Sequence, residues 1–339
     1  PCVINTSIGV YSGSHDGSDL SAQVIDTMIK SKRGRIVVAS AGNLGNTPYH
    51  LQVDVTSDTV FTCFEPQYAG PSFGDAVYID HLYGDIDSLK DTYFSISCHR
   101  NDNGMTKVGK TEFFKVSSLS PTPTGSSGVY NYKYVTPLNG GNSIATTIVI
   151  LGTNGVNQDK YYLQFFTYGD SVNNTYKYSL SSTGVGLFDV WSYYEWTGSS
   201  NITTMIPDTS LYPEFKKYIM HDYNSTLASS WQCLPSVTTV ANYTNRMSWH
   251  DWNNNLQTQA SCGYNPTDQG EIAPTSSRGP TRNGVMKPDI TASGNFTFSS
   301  ARLATAANFS VTNTCKLAPT GKHTRRRASG KSSAHIQER

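Results

Sequence analysis

The stretch Arg35-Ile36-Val37-Val38-Ala39-Ser40-Ala41-Gly42-Asn43 decides the fold. Four consecutive apolar residues give way abruptly to small residues and an amide. A run without polar alternation marks a strand covered on both faces, as in a parallel sheet. Upstream, Val3-Ile4 opens a second apolar strand that runs out at Ser7-Ile8-Gly9, followed by a polar Gly/Ser turn through Gly17. Between the two strands lies a helix pattern. Ser18 is placed to cap it, Asp19 suits its positive end, and Leu20, Val24, Ile25, Met28 and Ile29 make one apolar face. Lys30, Lys32 and Arg33 complement the other end, and Gly34 stops the helix. Strand, helix and strand at this spacing predict a right-handed βαβ unit with parallel strands. Ligands of such sheets bind at the carboxyl ends of the strands, where Ser7-Ile8-Gly9 and Ser40-Ala41-Gly42-Asn43 both fall.

Working outward, the texture changes near Leu51. Thr59–Phe64, Ala76–Asp80, Tyr93–Cys98, Ile144–Leu151, Tyr161–Tyr168, Thr175–Leu180 and Val185–Tyr193 are short β-prone runs separated by Gly, Asn, Asp and Pro clusters. They predict an antiparallel sandwich. Its aromatics, for example Trp191, Tyr193, Tyr194 and Trp196, serve either as core and cross-strand packing or as a surface for glycan or peptide, and packing is the commoner use. After Pro207 the α/β texture returns: Pro213–Met220 reads as a short helix, Ser236–Val240 as a strand and Ile272–Gly279 as a strand entering a turn. Gly279-Pro280-Thr281 and Lys287-Pro288-Asp289-Ile290 read as rigid connections. The expected division is therefore 1–50 and 206–315 for two parts of one α/β core, 51–205 for a β-rich insertion, and 316–339 for a divergent basic tail.

Composition narrows the class. Only 15% of the 339 residues are charged, while there are 21 tyrosines, a balance typical of extracellular β-rich proteins. No apolar run reaches the roughly 18 residues of a membrane span, and no signal peptide is present. The net charge of +1 conceals a mildly acidic body, because the last 24 residues hold Lys316, Lys322, Arg325, Arg326, Arg327, Lys331 and Arg339 against Glu338. That tail has no aromatic interleaving and no groove-reading element, so no nucleic-acid partner is expected. The six cysteines lack C-x-x-C spacing, which argues against a zinc site, and their pairing stays open.

Two blocks flanking the β-rich region resemble the subtilisin-like serine peptidases. The first is Val3-Ile4-Asn5-Thr6-Ser7-Ile8-Gly9 with Val37-Val38-Ala39-Ser40-Ala41-Gly42-Asn43. The second is Ser276-Ser277-Arg278-Gly279-Pro280-Thr281 followed by Asn283-Gly284 and Lys287-Pro288-Asp289-Ile290-Thr291-Ala292-Ser293-Gly294. The resemblance implies an incomplete subtilisin-like α/β fold, a parallel sheet with flanking helices interrupted by an antiparallel β-sandwich, and peptide hydrolysis by an Asp/His/Ser triad. It assigns Asn43 to the oxyanion hole, Ser7-Ile8-Gly9 to backbone pairing with an extended polypeptide substrate, and Ser40-Ala41-Gly42 to the wall of the specificity pocket. It implies no cofactor beyond calcium, and no clustered Asp/Asn loop marks a calcium site.

The triad is not legible. Neither an Asp-Ser/Thr-Gly turn nor a His-Gly-Thr helix start occurs. His15-Asp16-Gly17 reads as a structural turn, and His50, His81, His99, His221 and His250 as surface or packing residues. Near the expected nucleophile the chain offers Ala328-Ser329-Gly330-Lys331-Ser332-Ser333-Ala334-His335, where aligning Ser333 and His335 puts Gly330 on the nucleophile and leaves Ser329 as a poor substitute. The break after Cys315 suggests a shifted reading frame. Thr275 and Ser293 stand where the family has an aromatic and a proline. The rival reading is a non-catalytic adhesin or a glycan- or protein-binding β-sandwich.

Overall fold

The computed structural model describes residues 1–123, 128–154, 158–172, 175–194, 198–228, 230–251, 253–262, 265–300 and 325–328. In chain order its principal elements are β1 (Cys2–Thr6), α1 (Leu20–Lys30), β2 (Arg35–Ser40), β3 (His50–Val55), β4 (Val60–Phe64), β5 (Asp75–Asp85), β6 (Tyr93–Arg100), β7 (Lys107–Lys110) and β8 (Tyr130–Pro137). There follow β9 (Ala145–Asn154), β10 (Lys160–Gly169), β11 (Tyr176–Thr183), β12 (Gly186–Trp191), β13 (Val237–Thr244) and β14 (Ile290–Asn295). The chain forms two compact units, one of residues 1–9, 25–46 and 224–339, the other of residues 10–24 and 47–223.

The first unit is built on a parallel four-stranded sheet in the order β1-β2-β13-β14. Its register pairs Thr6 with Ala39, Ser40 with Val240, and Val240 with Ile290. Val37, Ala39, Val237, Val240 and Ala241 are buried, as the apolar runs require. Lys287 completes this packing from below: its ammonium is buried, donates to the Val237 carbonyl at 2.7 Å and reaches Asp289 at 2.7 Å, whose same oxygen accepts the Thr239 N–H at 2.6 Å.

Several expectations are corrected. The sheet was expected to be covered on both faces, yet β1 is exposed along most of its length, with Val3 and Ile4 about half accessible, and so is the start of β2 at Ile36. β1 is an edge strand, and among the described residues no further strand pairs with it. The supposed apolar stripe of α1 is likewise open, since Leu20, Val24 and Met28 are exposed and only Ala22 is buried. Ile4, Ile25, Met28, Ile29, Ile36 and Trp231 line an apolar groove of about 670 Å³ there. The cap of α1 is Asp19, whose carboxylate accepts the Ala22 N–H at 3.0 Å, while the Ser18 hydroxyl is drawn to Tyr83. At the other end Arg35 caps the Met28 carbonyl at 2.6 Å, and Lys30 pairs with Asp26 one turn earlier. Residues 272–279 are a loop with a single bridge to Tyr243, Pro213–Lys217 is 3₁₀, and Ile290, expected as the end of a connection, opens the strand Ile290–Asn295. The molecule is strand-rich. Among the described residues α1 is the only α-helix longer than four residues, so a full set of flanking helices is not observed.

The second unit is one antiparallel sheet in the order β3-β12-β5-β10-β9-β8-β7-β6-β11-β4, with the short strands Gln67–Tyr68 and Phe114–Lys115 paired to β5 and β6. β8 pairs with both β9 and β7, so the sheet folds over at this strand. The inward side chains of both halves, among them Leu51, Ile79, Phe94, Val149, Phe165 and Phe188, form a single core. The alternation predicted for a sandwich is therefore realised by one continuous sheet. No described helix is long and apolar enough to cross a membrane.

Candidate active site

The site is assembled at the carboxyl end of the parallel sheet. Beyond Ser40 the ladder continues for one bond, from the Ala41 N–H to the Val240 carbonyl at 2.9 Å. Gly42 then turns the chain out with φ +105°, a conformation that disfavours any side chain. The loop that follows is stitched to the second sequence block. The Ser277 N–H donates to the Gly42 carbonyl at 3.1 Å, the Leu44 N–H to the Ser277 hydroxyl at 3.2 Å, and the Gly45 N–H to the Thr275 carbonyl at 3.1 Å. Ser276 and Ser277 are fully buried. The Asn242 N–H donates to the Ser276 hydroxyl at 3.1 Å and the Ala273 N–H to the Asn242 carbonyl at 2.8 Å, which ties the same loop to β13. At Gly45 a Cβ would stand 2.1 Å from the Ser276 carbonyl oxygen, so only glycine fits.

Asn43, half-buried and hydrogen-bonded, lies within this seam between Gly42 and Leu44. Ser40 and Ala41 are buried and Gly42 is half-buried. Ser7-Ile8-Gly9 continues the neighbouring strand past its last paired residue, with Ser7 and Ile8 exposed. The Gln232 side-chain amide holds the Ile8 carbonyl at 3.2 Å. The first block's two segments thus leave adjacent parallel strands at the same end, and the second block joins them there. The seam through Leu44, Gly45 and Ser277 is the part that sequence reading missed; an otherwise unexplained glycine just after Asn43 is its only local signal.

Other sequence candidates lie elsewhere. Ser329, with Gly330, Ser333 and His335, falls outside the described residues, as do Cys315 and Trp196. Cys2, Cys63 and Cys98 are free thiols, and the Cys233 thiol donates to the Ala228 carbonyl at 3.2 Å. His15 belongs to the second unit, where it is buried with φ +51° rather than in an open turn. His50, His81 and His99 are packing residues and His250 is exposed. His50 does have a carboxylate partner, Asp189 at 3.2 Å, which a sequence separation of 139 hides from sequence reading. Both groups are inaccessible, which excludes a substrate. His99 is held by the Met105 carbonyl and the Ser179 hydroxyl, each at 2.8 Å, and burial pushes its pKa down to about 4. Trp191, considered above for a surface, is fully buried. Exposed aromatics include Tyr130, Tyr132 and Tyr134 on the outer side of β8. Among the described residues no three His, Cys, Asp or Glu side chains converge as a metal site would require.

A parallel sheet whose strand ends carry a glycine-turned amide loop, locked to a serine-rich return segment, fits a subtilase-like fold within an otherwise strand-rich molecule. The model of the subtilase family, peptidase S8, matches residues 1–335, and the chain belongs to that family. No curated protein matches it. Among solved structures it is similar to the CspB protease of Clostridium perfringens, with 15% identity and a TM-score of 0.58 over 98% of this chain. The chain spans 53% of that protein's length.

Proposed function

We propose that this chain is part of a secreted or surface subtilisin-like endopeptidase that cleaves polypeptides through an acyl-enzyme, and that it is inactive as it stands. The reading rests on one observation, the hydrogen-bonded seam that brings Asn43 and Ser276-Ser277 together at the carboxyl end of a parallel sheet. In this reading the Asn43 amide donates to the oxyanion that develops as a serine attacks the scissile carbonyl, and its fixed position matters because no reorganisation is needed when charge appears. Ser7-Ile8-Gly9 offers exposed backbone for an added substrate strand. Ser40-Ala41-Gly42, small and firmly packed, forms the wall beside the residue preceding the cleaved bond. No recognisable triad Asp, His or Ser accompanies these groups, Ser329 being the weak remaining candidate, and calcium is the one cofactor the family would add. The division into 1–50 and 206–315 as catalytic core, 51–205 as insertion and 316–339 as tail belongs to the same proposal.

The experiment is incubation with a fluorophosphonate probe and a fluorogenic peptide library. No labelling is expected from the chain alone, and covalent labelling of a serine overturns the claim of inactivity. Reading the encoding DNA upstream for Asp-Ser/Thr-Gly and His-Gly-Thr elements tests the peptidase assignment independently.

The exposed tyrosines of β8 favour one further reading, a glycan- or matrix-binding surface on the β-rich unit. Tyr132 faces Ile148 on β9, which faces Phe166 on β10, which stacks on Tyr78 of β5 at 4.4 Å, so a row of three aromatics and one isoleucine crosses four strands. Loss of glycan-array binding on Tyr132→Ala and Tyr134→Ala would support it, and a blank array for the unaltered chain would remove it.

A further inference from the structure

The outward face of β12 presents Asp189 and Trp191, and its neighbours add to the same patch. On β3, His50 and Gln52 stand opposite Trp191 and Asp189; on β5, His81 and Tyr83 stand opposite the same two residues. All of these except Gln52 are buried, because residues 10–24 lie across them within the same unit. The His15 imidazole stacks flat on Trp191, centroids 4.0 Å apart and planes within 4°. The Ser18 hydroxyl is 3.0 Å from the Tyr83 hydroxyl. Ser14 ties the segment to itself by donating to Asp19 and accepting the Ser18 and Asp19 N–H groups. Beneath this cover His81 sits between Tyr162 and Tyr83, 5.3 and 6.0 Å between centroids, with neither ring nitrogen hydrogen-bonded. Its nearest carboxylates are Asp80, 3.9 Å away, and Asp19 of the covering segment.

We propose that residues 10–24 form an acid-released strap, which undocks from the β12 face when His81 beneath it takes up a proton. A protonated imidazole needs an acceptor at both nitrogens, and among the described residues none lies within hydrogen-bond distance of either nitrogen of His81 in the docked site. The other rings are better provided. His50 has Asp189 at 3.2 Å, with Gln52 on the same oxygen, and His15 lies on the π face of an indole, which accommodates a cation. Burial holds the pKa of His81 down at about 4, with Asp80 and Asp19 opposing this only in part. The sign follows from linkage. Docking is at full strength above the pKa of a free histidine, about 6.5, and weakens as pH falls from there toward 4, by about tenfold per unit and about 300-fold in all.

The test is hydrogen exchange of the intact chain between pH 5 and 8, read by mass spectrometry and corrected for intrinsic rates. Peptides covering residues 10–24 are expected to be less protected than those of β9 and β10, which report unfolding of the whole unit, and to lose protection about tenfold per pH unit below 6.5. His81→Phe keeps the ring without the proton site and should flatten the strap's profile; His81→Gln serves if that variant does not fold. Strap protection equal to that of β9 and β10 at every pH overturns the proposal, and so does an undiminished pH dependence of the strap in a folded His81 variant.

Discussion

Replacing Gly45 by alanine should open the seam that joins the two halves of the candidate site. The added Cβ would lie 2.1 Å from the Ser276 carbonyl oxygen and 2.6 Å from that of Pro274. Both are backbone atoms, so relief requires moving the main chain rather than a side-chain tip. Overpacking of this kind costs about 1–3 kcal/mol. The displacement also strains the Gly45 N–H bond to Thr275 and the Leu44 N–H bond to Ser277, at about 0.5–1.5 kcal/mol each. The expected loss is therefore about 2–6 kcal/mol, confined to the first unit. Urea unfolding supplies the global value, and hydrogen exchange of residues 41–46 and 273–279 locates it. Ser277→Ala is the graded companion: it removes one acceptor and leaves the Leu44 N–H unpartnered, which predicts about 1–3 kcal/mol. A Gly45→Ala protein within 0.5 kcal/mol of the parent, with unchanged exchange in both loops, would refute the claim that the seam is closely packed.

Lys287→Met should destabilise the first unit by about 2 kcal/mol, below the usual cost of breaking a buried pair because Asp289 is partly solvated; an unchanged urea midpoint contradicts this. The second unit should weaken below pH 6.5, because unfolded His99 takes a proton that the folded ring, with its pKa near 4, refuses. The slope is about 1.4 kcal/mol per unit, to about 3 kcal/mol at pH 4, and His99→Gln should remove that increment from a pH series of melts. In any active, longer form carrying this core, Asn43→Ala should raise the barrier by about 2.7–4 kcal/mol, the range established for a subtilisin, through kcat rather than KM; an unchanged kcat would remove Asn43 from the oxyanion hole. The open edge and face around Ile4 and Ile36 should make the chain self-associate, and sedimentation should show less association for Ile4→Glu with Ile36→Glu.

What the sequence revealed and what it hid divide along the distance of the deciding partner. β2 and α1 were legible because an apolar run and an i, i+4 pattern are local properties, and the Asn43 loop because its glycine and amide are contiguous. Ser18 was preferred as the cap since Ser and Asp are adjacent and equally suited; the choice falls to Asp19 because Tyr83, 65 residues on, engages the Ser18 hydroxyl. Ile290 looked like the end of a connection after Pro288, and it opens a strand because β13, fifty residues earlier, offers a parallel edge. Residues 272–279 have strand-like composition, yet their backbone groups are taken by Asn242, Gly42 and Gly45, which leaves no ladder to join. Trp191 is buried, in line with packing as the commoner use of sheet aromatics, but the ring stacked on it, His15, lies 176 positions earlier, where no local pattern points to it.

The pairing of Val37 with Val237 spans 200 residues, and nearly all of the antiparallel unit is encoded between them. A ribosome adding about 5–20 residues per second needs about 10–40 s to cross that interval. For that time β2 can pair with β1 but not with β13, and the loop bearing Asn43 has no Ser277 to receive Leu44. The β-rich unit is nearly complete before β13 is made, and the candidate site can close only once Ser277 has followed.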